Sequence, residues 1–344
     1  MDVVDMPRLL GRSQEVHPRF PCRAWNLPSS RNSIGTACIM PEQAQVFVTR
    51  HTIRAIVPPS REISMSTSDD HNPPEWTRNA SWKPPDVDME NASAARMYDW
   101  YLGGSHNTEV DRIKAEEVLR AQPEARKAAR HNRSFLRRAV EYGLTRGIQQ
   151  FLDLGSGLPT AGNVHEIAQR AVPDARVVYV DNEPVAVAHS LDLLRDNQHA
   201  TCVREDIRRP NSVLHHPETK RLIDFSQPLM VLMCAVLHFV PDEHRPEEIV
   251  RAYSDALASG SYLALSHATA SDYPDRLADV VQIYQQTQNT LHLRSRSQIT
   301  AMLAPFDHLV FPGVVYTPQW RPEHWADIGD PAESLAFAAL AYMS

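Results

Sequence analysis

From residue 149 onward the chain repeats one pattern: a short apolar run, a turn, then a stretch with helical spacing. The apolar runs are QQFLDL (149–154), ARVVYVD (175–181), TCVRE (201–205), LMVLMCAVLHF (229–239) and SYLALSHA (261–268). Helical spacing falls between and after them, at 163–171, 184–196, 211–221, 245–258 and 273–288. Near-continuous apolar runs belong to strands covered on both faces. Strands separated by helices pair in parallel, so the order predicts an α/β fold with one mostly parallel sheet and helices on both faces. A further helix is expected at 297–304. After it, LVFPGVVYTPQW (309–320) offers two short strands with no helix between them, which predicts an antiparallel hairpin at the sheet edge.

Ahead of this region the spacing predicts three helices, in SAARMYDWYLGG, NTEVDRIKAEEVLRAQP and EARKAARHNRSFLRRAVEYG. The first places Met97, Trp100 and Tyr101 on one side and stops at Gly103 and Gly104. Thr108 caps the second, with Asp111 at the capping-box position and Pro123 just beyond its end. Residues 1–90 are different. The first 64 hold eight arginines, no lysine and five acids, with no sustained period, and STSDDHNPPEWTRNASWKPPDVD (66–88) has the composition of a linker. The expected organisation is an irregular extension over 1–90 and a folded domain over 91–344. The extension is open to a second explanation, an over-extended gene start with Met65 as the true first residue.

Net charge is −7, which disfavours a general nucleic-acid binder whose affinity rests on neutralising phosphates. The longest apolar run, PLMVLMCAVLHFV (228–240), falls short of the ~20 residues that span a bilayer. No signal-peptide pattern is found. Cys22, Cys38, Cys202 and Cys234 form no C-x-x-C pair, so neither a zinc nor a redox site is expected, and a reducing cytoplasm suits them.

In an open α/β sheet, ligands bind beyond the carboxyl ends of the strands, so the residues ending each strand carry the functional information. The first strand runs into Asp153, Gly155 and Gly157. The glycines allow a sharp turn and close approach of a ligand, and a carboxylate at the mouth suits a cationic group better than a pyrophosphate. A plain strand-to-helix turn would look similar. Asn163 and Glu166 make a plausible helix start, so the loop is longer than a dinucleotide finger. The second strand ends at Asp181, 24 residues past Gly157, where an acid can accept from both ribose hydroxyls. It could instead cap the helix at Pro184, unless Asn182 does so and frees it. The third strand leads to Asp206 and Ile207, an acceptor and an apolar surface suited to adenine. Pairing of Asp206 with Arg208 or Arg209 is the plainer alternative. The fourth and fifth strands lead to His238 and His267, each either facing the crevice or buried in the core.

In this order DLGSG, VYVDNEP, REDIRRP and AVLHFVPD resemble the class I S-adenosylmethionine-dependent methyltransferases. ARMYDWYLGG, FLDLGSGLPT, NVHEIAQ, ARVVYVDNEPV, VLHFVPD and GSYLALSHAT look like one bacterial S-adenosyl methyltransferase family of largely uncharacterised substrate. The resemblance covers residues 91–325; GDPAESLAFAALAYMS at the end departs from it. It implies a Rossmann-like seven-stranded sheet closed by an antiparallel strand. It also implies S-adenosylmethionine as cofactor: Asp153, Gly155 and Gly157 around its methionine part, Asp181 with Asn182 at the ribose, Asp206 and Ile207 at the adenine. The helix of Tyr98, Trp100 and Tyr101 would lie near the pocket as a lid. A methyl on sulfonium is already activated, so in-line transfer depends mainly on position. A base assists when the acceptor must lose a proton, with His238 first and Tyr98 next as candidates.

Three other readings compete. A nicotinamide-dependent oxidoreductase would want G-x-G-x-x-G, but Thr160 stands at the last glycine. A cofactor-binding regulatory protein without catalysis fits the same loops. A nucleic-acid methyltransferase would use the basic stretch Arg126, Lys127, Arg130, Arg133, Arg137 and Arg138, but LHFVPD replaces the Asn-Pro-Pro-aromatic motif of DNA amino methylases. The expected acceptor is a small molecule.

Overall fold

The computed structural model describes residues 87–344, except residues 160, 161, 273, 326 and 327 and the side chain of residue 276. The expected extension over 1–90, with its alternative start at Met65, lies almost wholly outside the described residues. Three helices come first: α1 (Ala94–Tyr101), α2 (Glu109–Ala121) and α3 (Ala125–Thr145). Then follow β1 (Gln150–Leu154), α4 (Val164–Ala171), β2 (Arg176–Asp181), α5 (Pro184–Leu193) and β3 (Ala200–Arg204). After α6 (Pro210–His215) and α7 (Pro217–Leu222) come β4 (Met230–Cys234), α8 (Pro246–Ser254), β5 (Tyr262–Ala268), α9 (Pro274–Tyr284) and α10 (Arg296–Met302). The chain ends in β6 (His308–Leu309), β7 (Val315–Tyr316) and β8 (Ala336–Tyr342).

The sheet has eight strands in the order β3-β2-β1-β4-β5-β8-β6, with β7 also on β8. β1 to β5 are parallel, and β8 enters antiparallel beside β5. Alternation along the strands divides the core. Leu152, Val178, Val231, Leu263 and Ala339 pack on one face with Val213, Ile249, Tyr253 and Ile299. Phe151, Val177, Leu232, Ala264 and Leu340 pack on the other with Phe135, Val140, Val164 and Trp320. The period of two puts Asp153 on the second face, toward α3. A third cluster joins α1, α2 and α9 through Met97, Tyr101, Ala115, Val118, Leu277, Val280 and Tyr284, and forms a helical cap.

Three sequence expectations need correction. The run 229–239 is not one strand: β4 stops at Cys234, Ala235 takes a φ of +57°, and Leu237–Phe239 is a single 3-10 turn. Its apolar residues continue because Leu237 and Val240 are still core. The helix expected over 211–221 is two, broken at His216 because Pro217 drives the residue before it out of helical geometry. β6 and β7 do not form a hairpin. Each lies along β8, with Leu309 opposite Ala341 and Val315 opposite Ala338. The C-terminal tail supplies β8, the expected antiparallel closing strand, and the short β6 and β7 on its edge bring the sheet to eight strands.

Candidate active site

The sheet order reverses at β1, where β2 and β3 lie to one side and β4 and β5 to the other. Beyond the carboxyl ends of these strands lies a cavity of about 680 Å³, within the ~300–1,000 Å³ common for small-molecule sites. Its floor is the strand-end loops, and its other walls come from α1, α2, α3, α9 and residues 334–336. The residues singled out from the sequence as candidate site residues, Tyr98, Asp153, Gly155, Gly157, Asp181, Asn182, Asp206, Ile207 and His238, all line it. Trp100 does not line it; its ring packs under the Arg126 guanidinium at 4.1 Å, so only Tyr98 and Tyr101 of the expected lid aromatics do.

The loop after β1 is shaped by its glycines. Gly155 and Gly157 take φ of +73° and +65°, and a Cβ on Gly155 would come within 2.2 Å of Val236. The Gly155 and Ser156 amides donate to the Val180 carbonyl at 2.8 and 3.2 Å, which ties the loop to β2. The Ser156 hydroxyl is buried with no partner. Helix α4 starts at Val164, after Glu166 Oε2 accepts from the Asn163 and Gly162 amides, as the capping pattern predicts. Asp153 is buried, and no hydrogen bond or ion pair holds its carboxylate among the described residues. Burial pushes its carboxyl up to about 7, against the pull of Arg133 and with the repulsion of Asp181.

Asp181 is not freed by Asn182. Its Oδ1 accepts from the Glu183 amide at 2.9 Å and its Oδ2 from the Gly157 amide at 2.7 Å. A carboxylate has about four lone-pair positions, so each oxygen keeps one. Burial pushes this carboxyl up to about 6 despite those amides. Asn182 is exposed at the rim. Asp206 takes the plainer alternative. Arg208 grips it through Nε at 3.0 and 2.9 Å and Nη2 at 2.6 Å. Burial raises its carboxyl, but Arg208 outweighs that and holds it below the usual carboxylate value. Ile207 is buried beside it.

The two histidines are both fixed. His238 Nδ1 accepts from the Ala268 amide at 3.2 Å, so the neutral ring carries its proton on Nε2. Burial holds His238 well below the ordinary imidazole value, helped by His267 and Arg294. It is therefore a hydrogen-bond donor at Nε2, and the expected base role does not suit this tautomer. His267 Nδ1 meets the Ala268 carbonyl at 2.8 Å and its Nε2 meets Arg294 Nη1 at 2.9 Å. Burial pushes His267 down to about 4. The Tyr98 hydroxyl donates to the Ala129 carbonyl at 3.1 Å and accepts from Asn132 Nδ2 at 3.0 Å. Burial raises its pKa, which fits a fixed wall better than a base.

Several residues here had no motif to reveal them. Buried Arg96 bonds Asp111 at 2.7 Å and Glu183 at 2.9 Å, joining α1 and α2 to the residue next to Asn182. Asp111 also accepts from the Thr108 amide, completing the predicted capping box. Helical spacing places Arg96 beside Met97 on the buried face, a pattern that reads from sequence as an interruption of the apolar stripe. Buried Arg294 gathers the carbonyls of Leu237 and Val240 and the carboxylate of Asp242, which holds the loop after β4 in place. The basic stretch of α3 is largely engaged within the chain. Lys127 pairs with Glu333, Arg133 donates to the Gly162 carbonyl, Arg137 pairs with Glu141 and Glu323, and Arg138 donates to the Thr317 and Trp320 carbonyls.

The family model for S-adenosyl methyltransferases matches residues 80–344. A structure from Thermobifida fusca YX, of a protein assigned as a methyltransferase, is 37% identical; the match covers 77% of this chain and 99% of that one, with a TM-score of 0.72. A DUF574 family protein from Streptomyces avermitilis is 34% identical, over 75% of this chain and 99% of its own, also with a TM-score of 0.72. No curated protein matches the chain. Among the described residues, no helix is long and apolar enough to cross a membrane. With a mostly parallel sheet, a glycine-bent first loop and a cavity at the switch point, the chain belongs to the S-adenosyl methyltransferase family and is an S-adenosylmethionine-dependent methyltransferase.

Proposed function

We propose that the cavity beyond β1 to β5 is where S-adenosylmethionine and a small-molecule acceptor meet. The observation that carries this reading is the pair of buried carboxylates, Asp153 and Asp181, flanking a loop bent open by Gly155 and Gly157. The residues fit the cofactor. Asp153 is a buried acid with no hydrogen bond or ion pair among the described residues, and a sulfonium or ammonium would add opposite charge to the pull of Arg133. The Ser156 hydroxyl is an orphan at the same loop. Asp181 keeps a lone pair on each oxygen for ribose hydroxyls, with Asn182 at the rim. Ile207 gives the adenine an apolar wall, while Asp206, gripped by Arg208, is available to the adenine amino group only through its remaining lone pairs.

When bound, the cofactor supplies a methyl already activated by its sulfonium. The chain's part is then to hold the acceptor in line and keep water out, and orientation of this kind is worth about 7–11 kcal/mol in favourable systems. Tyr98 and His238 are the residues we assign to positioning. Tyr98 is locked through Ala129 and Asn132, and His238 presents Nε2–H. A small acceptor is favoured over nucleic acid because the basic residues of α3 are largely spent on carbonyls and carboxylates within the chain. Buried free Cys202 and Cys234 accord with a reducing compartment such as the cytoplasm.

The test is calorimetric titration of S-adenosylmethionine and of NADH into the wild type and Asp181→Ala. Binding of S-adenosylmethionine alone, weakened in a folded Asp181→Ala by more than about 1 kcal/mol, is expected, the scale of a lost charged hydrogen bond. Unchanged affinity in the folded variant would remove Asp181 from the cofactor site.

A further inference from the structure

The cavity is divided by charge. Among its described lining residues, Arg133, Asp153, Asp181, Glu183, Glu205, Asp206, Arg208, Glu243 and His244 carry or can carry charge, and His238 and His267 are held neutral. Apart from Arg133 all of these stand on the strand ends or the loops that follow them. The wall contributed by α1, α2, the first turns of α3, α9 and residues 288–293 is different. Its described residues are mainly tyrosine, leucine, valine and alanine, among them Tyr98, Tyr101, Val118 and Tyr284, with amides and the hydroxyls of Ser93 and Thr290 between them. Among its described lining residues the only ionisable groups are phenols, and burial raises all three of them.

Among the described residues, two buried polar atoms in this wall take no well-formed hydrogen bond. Gln122, 1% exposed, ends α2, and its Oε1 is buried with no hydrogen bond. Its Nε2 donates to Glu124 Oε2 at 2.6 Å. A carboxylate can only accept, so the amide is oriented with nitrogen toward Glu124 and oxygen away from it. The Tyr101 hydroxyl, in a residue 5% exposed, lies beside Tyr284 but takes no well-formed hydrogen bond. A buried orphan acceptor in the wall of a cavity is most simply explained by a donor that arrives with a ligand.

We infer that the methyl acceptor is a neutral, mostly apolar molecule bearing a hydrogen-bond donor, held in the helical cap with Gln122 Oε1 receiving that donor. This rests on the cofactor occupying the strand-end half of the cavity. A carboxylate or ammonium entering the cap half would be buried with no opposite charge among the described residues that line it, a cost that proteins avoid. A flat aromatic body with a hydroxyl meets the wall's chemistry: aromatic and aliphatic contact, one fixed acceptor, and a phenol that donates or accepts.

The experiment uses the full chain saturated with S-adenosylhomocysteine and follows binding of 2-naphthol, 2-methoxynaphthalene and 2-naphthoate by calorimetry near neutral pH. The alcohol should bind, and the ether and the carboxylate should each bind about ten-fold or more weakly than it, as expected for an unmet hydrogen bond. Gln122→Met should erase the preference for the alcohol over the ether while leaving S-adenosylhomocysteine affinity unchanged. The ligand series on the unaltered protein stands whether or not the variant folds. Equal binding of the carboxylate, absence of alcohol binding, or a preference that survives in folded Gln122→Met would each overturn the inference. Failure of the wild type to bind S-adenosylhomocysteine would overturn the cofactor assignment beneath it, a separable result because it precedes any naphthalene addition.

Discussion

Asp153 and Asp181 end adjacent strands with carboxyls that burial raises to about 7 and about 6. Both sit above the ordinary value of 3.8, so the native state holds protons that the unfolded chain releases. Stability of the ligand-free protein should therefore fall as pH rises from about 4 to about 7 and then level. Asp153→Asn should remove the upper part of that fall in thermal melts; a variant curve parallel to the wild type would contradict the burial account. Binding runs the other way. Pairing with a cation needs the carboxylate, so S-adenosylmethionine affinity should climb as pH rises through about 7 and should not climb in Asp153→Asn. Both acids and both glycines were legible in the sequence because they end apolar runs. What was not legible is how each group is committed. In sequence Asp206 is equally open to adenine and to Arg208, and only the short Arg208 contacts separate the two; His238 stands where a base could, and only the Ala268 amide on its Nδ1 fixes it as a donor.

At the scale of elements, the cap is fastened by one buried network. Arg96 on α1 meets Asp111 on α2 and Glu183 before α5, and Asp111 also accepts from the Ser93 and Thr108 amides. Arg96→Met removes the only cation of that trio and leaves two buried carboxylates uncompensated. The expected loss is about 3–5 kcal/mol, measured by urea denaturation; a loss below about 1 kcal/mol would mean water already shields the acids. Thr108→Ala should cost about 0.5–2 kcal/mol through the capping box alone. Local grammar made that box readable, since its partners are three residues apart. The Arg96–Glu183 contact spans 87 residues and leaves no local trace. The boundaries misread in the sequence have the same origin. β4 ends where Ala235 turns to positive φ, although the apolar pattern runs on for packing reasons.

For the molecule as a whole, β8 decides whether the sheet is complete. It pairs with β5 along seven residue positions and carries β6 and β7 on its other edge. Its sequence, AFAALAY, is rich in the residue with the highest helix propensity, so it did not read as a strand. Burial between β5 on one side and β6 and β7 on the other overrides that preference. Deleting residues 336–344 should abolish cooperative melting, because it strips the edge of β5 and both short strands lose their only strand partner among the described residues; a cooperative transition in the shortened chain would contradict this place for β8. By contrast β1 to β5 were all visible from the alternation of apolar runs and helical spacing, and a cavity does lie at their carboxyl ends. Whether the cofactor occupies that cavity is decided by a crystal structure with S-adenosylhomocysteine. Ribose hydroxyls are expected on Asp181, the amino-acid end against Asp153 and the Gly155–Gly157 loop, and the cap-side wall of Gln122 and Tyr101 is expected to stay open. Ligand bound elsewhere, or with its ribose away from Asp181, would contradict this placing.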